Sequence, residues 1–184
     1  MSEQLGLFER DGAEPVPADL AGLLLGPGHL VSRNGRARCS VLVPEAWRAE
    51  ELVGEFQQRG LGGEYNVSRD EASGTQFVAR TDFVEALTPL ASASPRVLNP
   101  GGLRLWLIAA GRFSEGNYYL GLALNEEARW PHSGAALAQL GLPAAFVGPR
   151  GGGPAYRIAS AKRLRLLRTL AGERPATATA TDWP

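Results

Sequence analysis

Residues 20–28 read Leu-Ala-Gly-Leu-Leu-Leu-Gly-Pro-Gly, and residues 103–111 read Leu-Arg-Leu-Trp-Leu-Ile-Ala-Ala-Gly. Both stretches are too apolar for a helix standing in water. A helix that is hydrophobic all round is buried, and small residues let backbones approach closely: Ala21, Gly22 and Gly26 in the first stretch, Ala109, Ala110 and Gly111 in the second. The simplest packing sets the two helices against each other at the seam of a pseudo-twofold domain.

Working outward from each stretch gives the same order of elements twice. Residues 18–26 read as a short helix closed by Gly26-Pro27-Gly28. His29-Leu-Val-Ser-Arg33 and residues 36–43, which alternate with period two, flank an Asn34-Gly35 turn and form a hairpin. Pro44 opens a helix through Gly60, with Trp47, Leu52, Val53 and Phe56 at helical spacing. Strands at 64–69 and 75–80 flank a polar turn, and residues 82–91 close the unit as a helix. The second half repeats this with a helix at 103–111, strands at 112–114 and 117–125, a helix at 131–141, strands at 144–148 and 155–159, and a helix at 160–172. The predicted class is α+β, two tandem α-β-β-α-β-β-α repeats. They span residues 18–92 and 103–172, with a leader at 1–17, a linker at 93–102 and a disordered, low-complexity tail at 173–184 that only Trp183 could anchor.

Composition narrows the class. The 184 residues suffice for one domain or two small fused ones, and 44 % hydrophobic with 21 % charged residues exclude a disordered, collagen-like or coiled-coil chain. Cys39 is the single cysteine, which excludes an internal disulfide framework and a cysteine-rich zinc site. No stretch approaches the ~18 consecutive apolar residues of a membrane span. These features predict a cytoplasmic protein with no membrane partner. His29 and His132 have no recognisable nucleophile motif beside them, and Gly148 to Gly153 lacks the Lys-Ser/Thr of a phosphate loop.

The formal net charge is zero, but it is unevenly spread. Residues 1–28 hold five acids against Arg10, whereas residues 102–172 hold Lys162 and eight arginines against Glu115, Glu126 and Glu127. A neutral total therefore conceals an acidic leader and a basic second repeat.

Leu20 to Gly28 looks like the LAGLIDADG motif, and Leu103 to Gly111 looks like a weaker second copy. With the repeated topology, residues 18–172 resemble a single-chain LAGLIDADG homing-endonuclease-like fold. The resemblance implies paired helices at the seam, two antiparallel sheets forming a saddle that straddles double-stranded DNA, and an acid at the eighth motif position of each helix that binds divalent metal. The chain departs from that pattern where the chemistry lies. The eighth positions are Pro27 and Ala110, and the sixth are Leu25 and Ile108. Two-metal phosphodiester cleavage needs ions clamped by carboxylates beside the scissile phosphate, and Asp19 and Glu115 lie about a turn or more away. The expectation is no catalytic residue, no metal and no cofactor, in a monomer whose fold is kept for binding DNA and which is nucleoid-associated. An active homing endonuclease or an intron maturase is the alternative the resemblance carries, and a regulator that binds only protein partners is a third.

Strand alternation selects the side chains for the saddle surface. Arg36, Arg38 and Ser40 face opposite to Ala37, Cys39, Val41 and Val43, and Gln76 and Arg80 face opposite to Phe77 and Ala79. In the second repeat Asn117, Tyr119 and Arg157 are outward, while Arg33, Arg112 and Arg150 sit at strand ends or turns. Arg, Asn and Gln on a β-ribbon are the types that phosphate contact and major-groove readout require. The basic helix at 160–172 adds Lys162, Arg163, Arg165 and Arg168 as a flank.

Outside the repeats, residues 4–8 read Gln-Leu-Gly-Leu-Phe. This closely resembles the bacterial sliding-clamp-binding peptide, with pattern Gln-Leu-x-Leu-Phe. The resemblance implies that Leu5, Leu7 and Phe8 dock in a hydrophobic pocket of the DNA polymerase sliding clamp while Gln4 makes polar contacts. A clamp tether on a DNA-straddling domain would raise its local concentration on replicating or repaired DNA.

Overall fold

The structure, a computed structural model, describes residues 14–184. The clamp-like residues Gln4, Leu5, Leu7 and Phe8 lie outside the described residues. A 3-10 turn at Pro17–Leu20 runs into α1 (Ala21–Leu25), followed by β1 (His29–Arg33), β2 (Arg36–Val43), α2 (Ala46–Gln58), β3 (Glu64–Asp70), β4 (Gly74–Arg80) and α3 (Thr88–Ser92). The second repeat holds α4 (Pro100–Ala110), β5 (Gly111–Ser114), β6 (Asn117–Gly121), α5 (Trp130–Gln139), β7 (Ala145–Val147), β8 (Ala155–Ile158) and α6 (Ala161–Ala171). Each repeat builds one four-stranded antiparallel sheet, in the orders β1-β2-β4-β3 and β5-β6-β8-β7. The expected α+β, two-repeat architecture is therefore present.

The two apolar helices meet at the seam as their composition demands. A Cβ at Gly22 would fall onto the backbone of Gly102, and one at Gly26 onto the Trp106 ring, so the close approach depends on glycine at both places. Leu20, Leu23, Leu103, Leu105, Trp106, Leu107 and Ile108 are fully buried around this contact. The seam residues join Ala37, Cys39, Val41 and Val43 of the first sheet and Tyr118, Leu120 and Ile158 of the second in a single core.

Three boundaries differ from expectation by three residues or more. The strand expected over 117–125 ends at Gly121, where Leu122 turns its N–H to Pro154. The expected linker 93–102 gives up its last residues to α4, which starts at Pro100 because the Asn99 side chain accepts from the Gly102 N–H and caps the helix. The expected helix over 82–91 begins late, because the Val84 N–H and C=O pair with Ala37 beside β2.

The larger correction concerns residues 173–184, expected to be a disordered tail. They fold back across both repeats. Trp183 is buried, donates its indole N–H to Gly172 and lies under the Arg104 guanidinium. The Phe113 N–H donates to Thr181 at 2.6 Å, Tyr118 donates its hydroxyl to the Asp182 carbonyl at 2.7 Å, and Thr177 donates to Glu51. A segment that local composition leaves unordered is held by contacts distant in sequence.

Candidate nucleic-acid interface

Register places the expected side chains together. In the first sheet the helices cover the face bearing Ala37, Cys39, Val41, Val43 and Ala79, leaving the other face open. On that open face Arg33 pairs with Arg36, Val31 with Arg38, and His29, Ser40, Arg80 and Glu64 form one rung across all four strands. Leu42, Val78 and Asn66 form the next rung, and Gln76 follows opposite Ser68. In the second sheet Arg112, Tyr119, Arg157 and Ala145 form one open-face rung, beside Ser114 and Asn117. Ten of the residues expected on the saddle thus occupy the two open faces: Arg33, Arg36, Arg38, Ser40, Gln76, Arg80, Arg112, Asn117, Tyr119 and Arg157. Arg150 sits in the exposed 3-10 turn between β7 and β8.

The electrostatics of these faces are cationic along their centres. Among the described residues none of Arg33, Arg36, Arg112, Arg150 and Arg157 has a carboxylate partner. Arg38 lies over the Phe83 ring at 4.4 Å and Arg112 over Tyr119 at 5.4 Å, which stiffens both guanidinium groups. The Nε atoms of Arg38 and Arg80 are buried without a hydrogen-bond partner among the described residues. Among the strand residues of these faces the acids Glu64 and Asp70 lie on the outer strand β3, and Glu126 from the second repeat reaches His29 of β1 at 3.5 Å. The basic helix α6 packs on α4 and exposes Lys162, Arg163, Arg165 and Arg168 away from that contact.

Between the two sheets, at the ends of the central helices, sequence reasoning missed the decisive residues. Arg48 of α2, only 4 % exposed, reaches across the seam to the end of α4, donating to the carbonyls of Leu107, Ile108 and Gly111 at 3.3, 2.9 and 2.9 Å. It also pairs with Glu45 at 2.5 Å and with Asp182 of the tail at 3.1 Å. In the opposite sense Arg129 donates to the carbonyls of Gly26 and Gly28 at 3.2 and 3.0 Å, and Ser133 donates to that of Leu25. Burial lowers the basicity of Arg129, partly offset by Glu126. Each repeat therefore caps the other's central helix with a cation, where the helix dipole is negative.

That arrangement does not fit the divalent metal the resemblance implies. Pro27 and Ala110 offer no side-chain oxygen, Leu25 and Ile108 are buried, and the helix-end carbonyls already accept from guanidinium groups. Asp19 is spent elsewhere, on Arg59 at 3.0 Å and Asn99 at 2.8 Å, and Glu115 is exposed in the β5–β6 turn. Among the described residues no group of three or more His, Cys, Asp or Glu side chains comes together. Arg48, Glu55 and Arg59 did leave one signal in the sequence, because Arg48 and Glu55 share the buried face of α2 with Leu52 and Phe56 and the buried Arg59 caps its end. Charges on that face must be paired, and Arg59 indeed bonds Glu55 at 2.6 Å and Asp19.

A cavity of about 390 Å³ lies at the floor between the sheets, lined by Leu42, Arg48, Ala110, Gly121, Thr181 and Asp182 among others. It marks where β2 and β6 converge. Cys39 faces the core, not this cavity, and burial pushes its thiol up to about 12.

No family model and no curated protein matches the sequence. Solved structures do match. The homing endonuclease I-WcaI bound to its DNA recognition sequence superposes with a TM-score of 0.56 at 14 % identity, covering 83 % of this chain and 78 % of that one. The N-terminal LAGLIDADG domain of WhiA gives 0.56 at 12 % identity, covering 85 % and 83 %. A mesophilic variant of the homing endonuclease I-DmoI gives 0.54 at 14 % identity, covering 85 % and 95 %. At such identities the likeness concerns architecture alone, and the architecture of this chain is the two-repeat LAGLIDADG-like fold.

Proposed function

We propose that the protein binds double-stranded DNA across the open faces of its two sheets without cutting it. Through Gln4, Leu5, Leu7 and Phe8 it is tethered to the bacterial sliding clamp, and it serves DNA replication, repair or their control as a monomer. The observation that carries the DNA reading is the gathering of the predicted Arg, Asn, Gln and Tyr side chains on the register-defined open faces of the two sheets, whose arginines lack carboxylate partners among the described residues. Phosphate oxygens would supply the missing acceptors. That I-WcaI is bound to DNA supports the choice of partner.

The crossed arginines support the absence of cleavage. A helix end whose carbonyls accept from a guanidinium, with Pro27 or Ala110 in place of the acid, gives a divalent ion neither charge nor geometry. Plasmid DNA incubated with the protein and Mg²⁺ or Mn²⁺ should stay supercoiled, and nicking or linearisation refutes the non-catalytic reading. Gel retardation across a salt series tests the surface. Changing Arg36, Arg38 and Arg157 to Ala should weaken retention and flatten the slope of log K against log salt by about 3. An unchanged slope rejects the open faces as the interface. Binding to purified sliding clamp should be lost when Leu7 and Phe8 are changed to Ala, and equal affinity of the variant rules out the tether.

A further inference from the structure

Three outward positions of the first sheet break its polar pattern. Val31 on β1 lies opposite Arg38, and Leu42 on β2 lies opposite Val78 on β4. Val31 is 53 % and Leu42 48 % exposed, so neither belongs to the core, which takes the alternate residues of the same strands. On the open face of the second sheet the central strands β6 and β8 carry Asn117, Tyr119, Gly121, Ala155 and Arg157, and the one large aliphatic side chain, Val147 on the outer strand β7 opposite the buried Ala155, is half-buried.

The two sheets also differ in reach. Leu42 and Gly121 both line the floor cavity, so β2 and β6 start from a common point and run outward to their hairpin turns. From Leu42 to Arg36 is about 20 Å of strand, and from Gly121 to Asn117 about 13 Å. At about 3.4 Å per base pair these arms match about six and about four base pairs.

A large aliphatic side chain set among arginines calls for a partner that is anionic overall and apolar at spaced points. The major groove of double-stranded DNA meets that description. It admits a two-stranded β-ribbon, phosphates flank it, and the thymine 5-methyl is the apolar group among its base edges. The acids Glu64 and Asp70 on β3 disfavour phosphates at the outer strand, which leaves β1, β2 and β4 to face the groove.

We propose that Val31, Leu42 and Val78 form a thymine-methyl-reading patch, so that sequence discrimination resides in the long arm of the first repeat and the second repeat anchors the backbone. This rests on the DNA-binding reading above. The test uses the full chain and duplexes recovered from a random-sequence pool, resynthesised with deoxyuridine at one thymine at a time. Loss of one read methyl should weaken binding about four-fold at one or more positions within a single arm of the site. Leu42→Ala, and separately Val31→Ala, should bind the thymine and uracil forms alike while keeping the wild-type melting temperature. If uracil is tolerated at every position while binding persists, the patch is overturned and the DNA reading stands. If the variants weaken both forms and retain the methyl preference, the patch is likewise overturned. If no duplex is retained, both readings fall together.

Discussion

Arg48 shows how one side chain can decide what the middle of the molecule does. Its guanidinium donates to three carbonyls at the end of α4 and to the carboxylates of Glu45 and Asp182. Removing it takes the guanidinium donor from these carbonyls, of which Leu107 keeps the Gly111 N–H, and breaking a buried pair costs about 3–5 kcal/mol. Arg48→Met should lower the free energy of urea unfolding by about 3 kcal/mol, and Arg48→Lys should restore only part, because an ammonium lacks the planar fork. Equal midpoints for Arg48→Met and wild type contradict the capping role. Cys39 gives a pH signature. Burial raises its thiol from the ordinary 9.0 to about 12, with Arg129 opposing slightly. Above pH 9 the unfolded chain loses a proton that the folded chain keeps, so this contribution to stability is full below pH 9 and is lost as pH rises towards 12. The urea midpoint should decline over that window and decline less in Cys39→Ala. Tyr118, also raised by burial, leaves a residual decline.

Among elements, the central helices and the C-terminal segment were legible to different degrees. The α1–α4 contact was readable because its cause is local composition: two apolar runs with small residues. Gly22→Ala should cost about 3 kcal/mol, since the added Cβ meets the backbone of Gly102, which cannot swing aside. Wild-type stability in that variant would show that the helices do not pack as described. The segment 173–184 was misread because its Ala- and Thr-rich composition carries no periodicity, while its anchors are Tyr118, Arg104 and Arg48 elsewhere in the chain. Trp183→Ala should lower the melting temperature by about 10 °C, taking about 3 kcal/mol for a lost buried Trp. An unchanged transition by circular dichroism argues that this segment is not docked.

For the whole molecule, the zero net charge resolves into a cationic surface shared by both repeats, with the acids Glu64 and Asp70 on its outer strand and the rest elsewhere in the chain. Arg33, Arg36, Arg38 and Arg80 from the first sheet, with Arg112 and Arg157 from the second and Arg150 from its β7–β8 turn, lie along the two arms that run outward from the floor where β2 and β6 converge. Were all seven to neutralise phosphates, the salt slope of DNA retention would approach about −6. Retention indifferent to salt excludes this surface as the contact.

The sequence by itself determined the order of elements, the seam and the facing of most side chains, including ten of the eleven residues expected on the two open faces. It could do so because helix and strand periodicities and an Asn-Gly turn act between near neighbours. Tertiary structure alone decided that Arg48 and Arg129 would cap the opposite repeat's helix, that Asp182 would join the first of them, and that Leu42, outward by strand alternation, would lie at the floor where β2 and β6 converge. Those outcomes depend on which chain ends converge at the seam, a relation between residues up to 134 positions apart that no local pattern encodes.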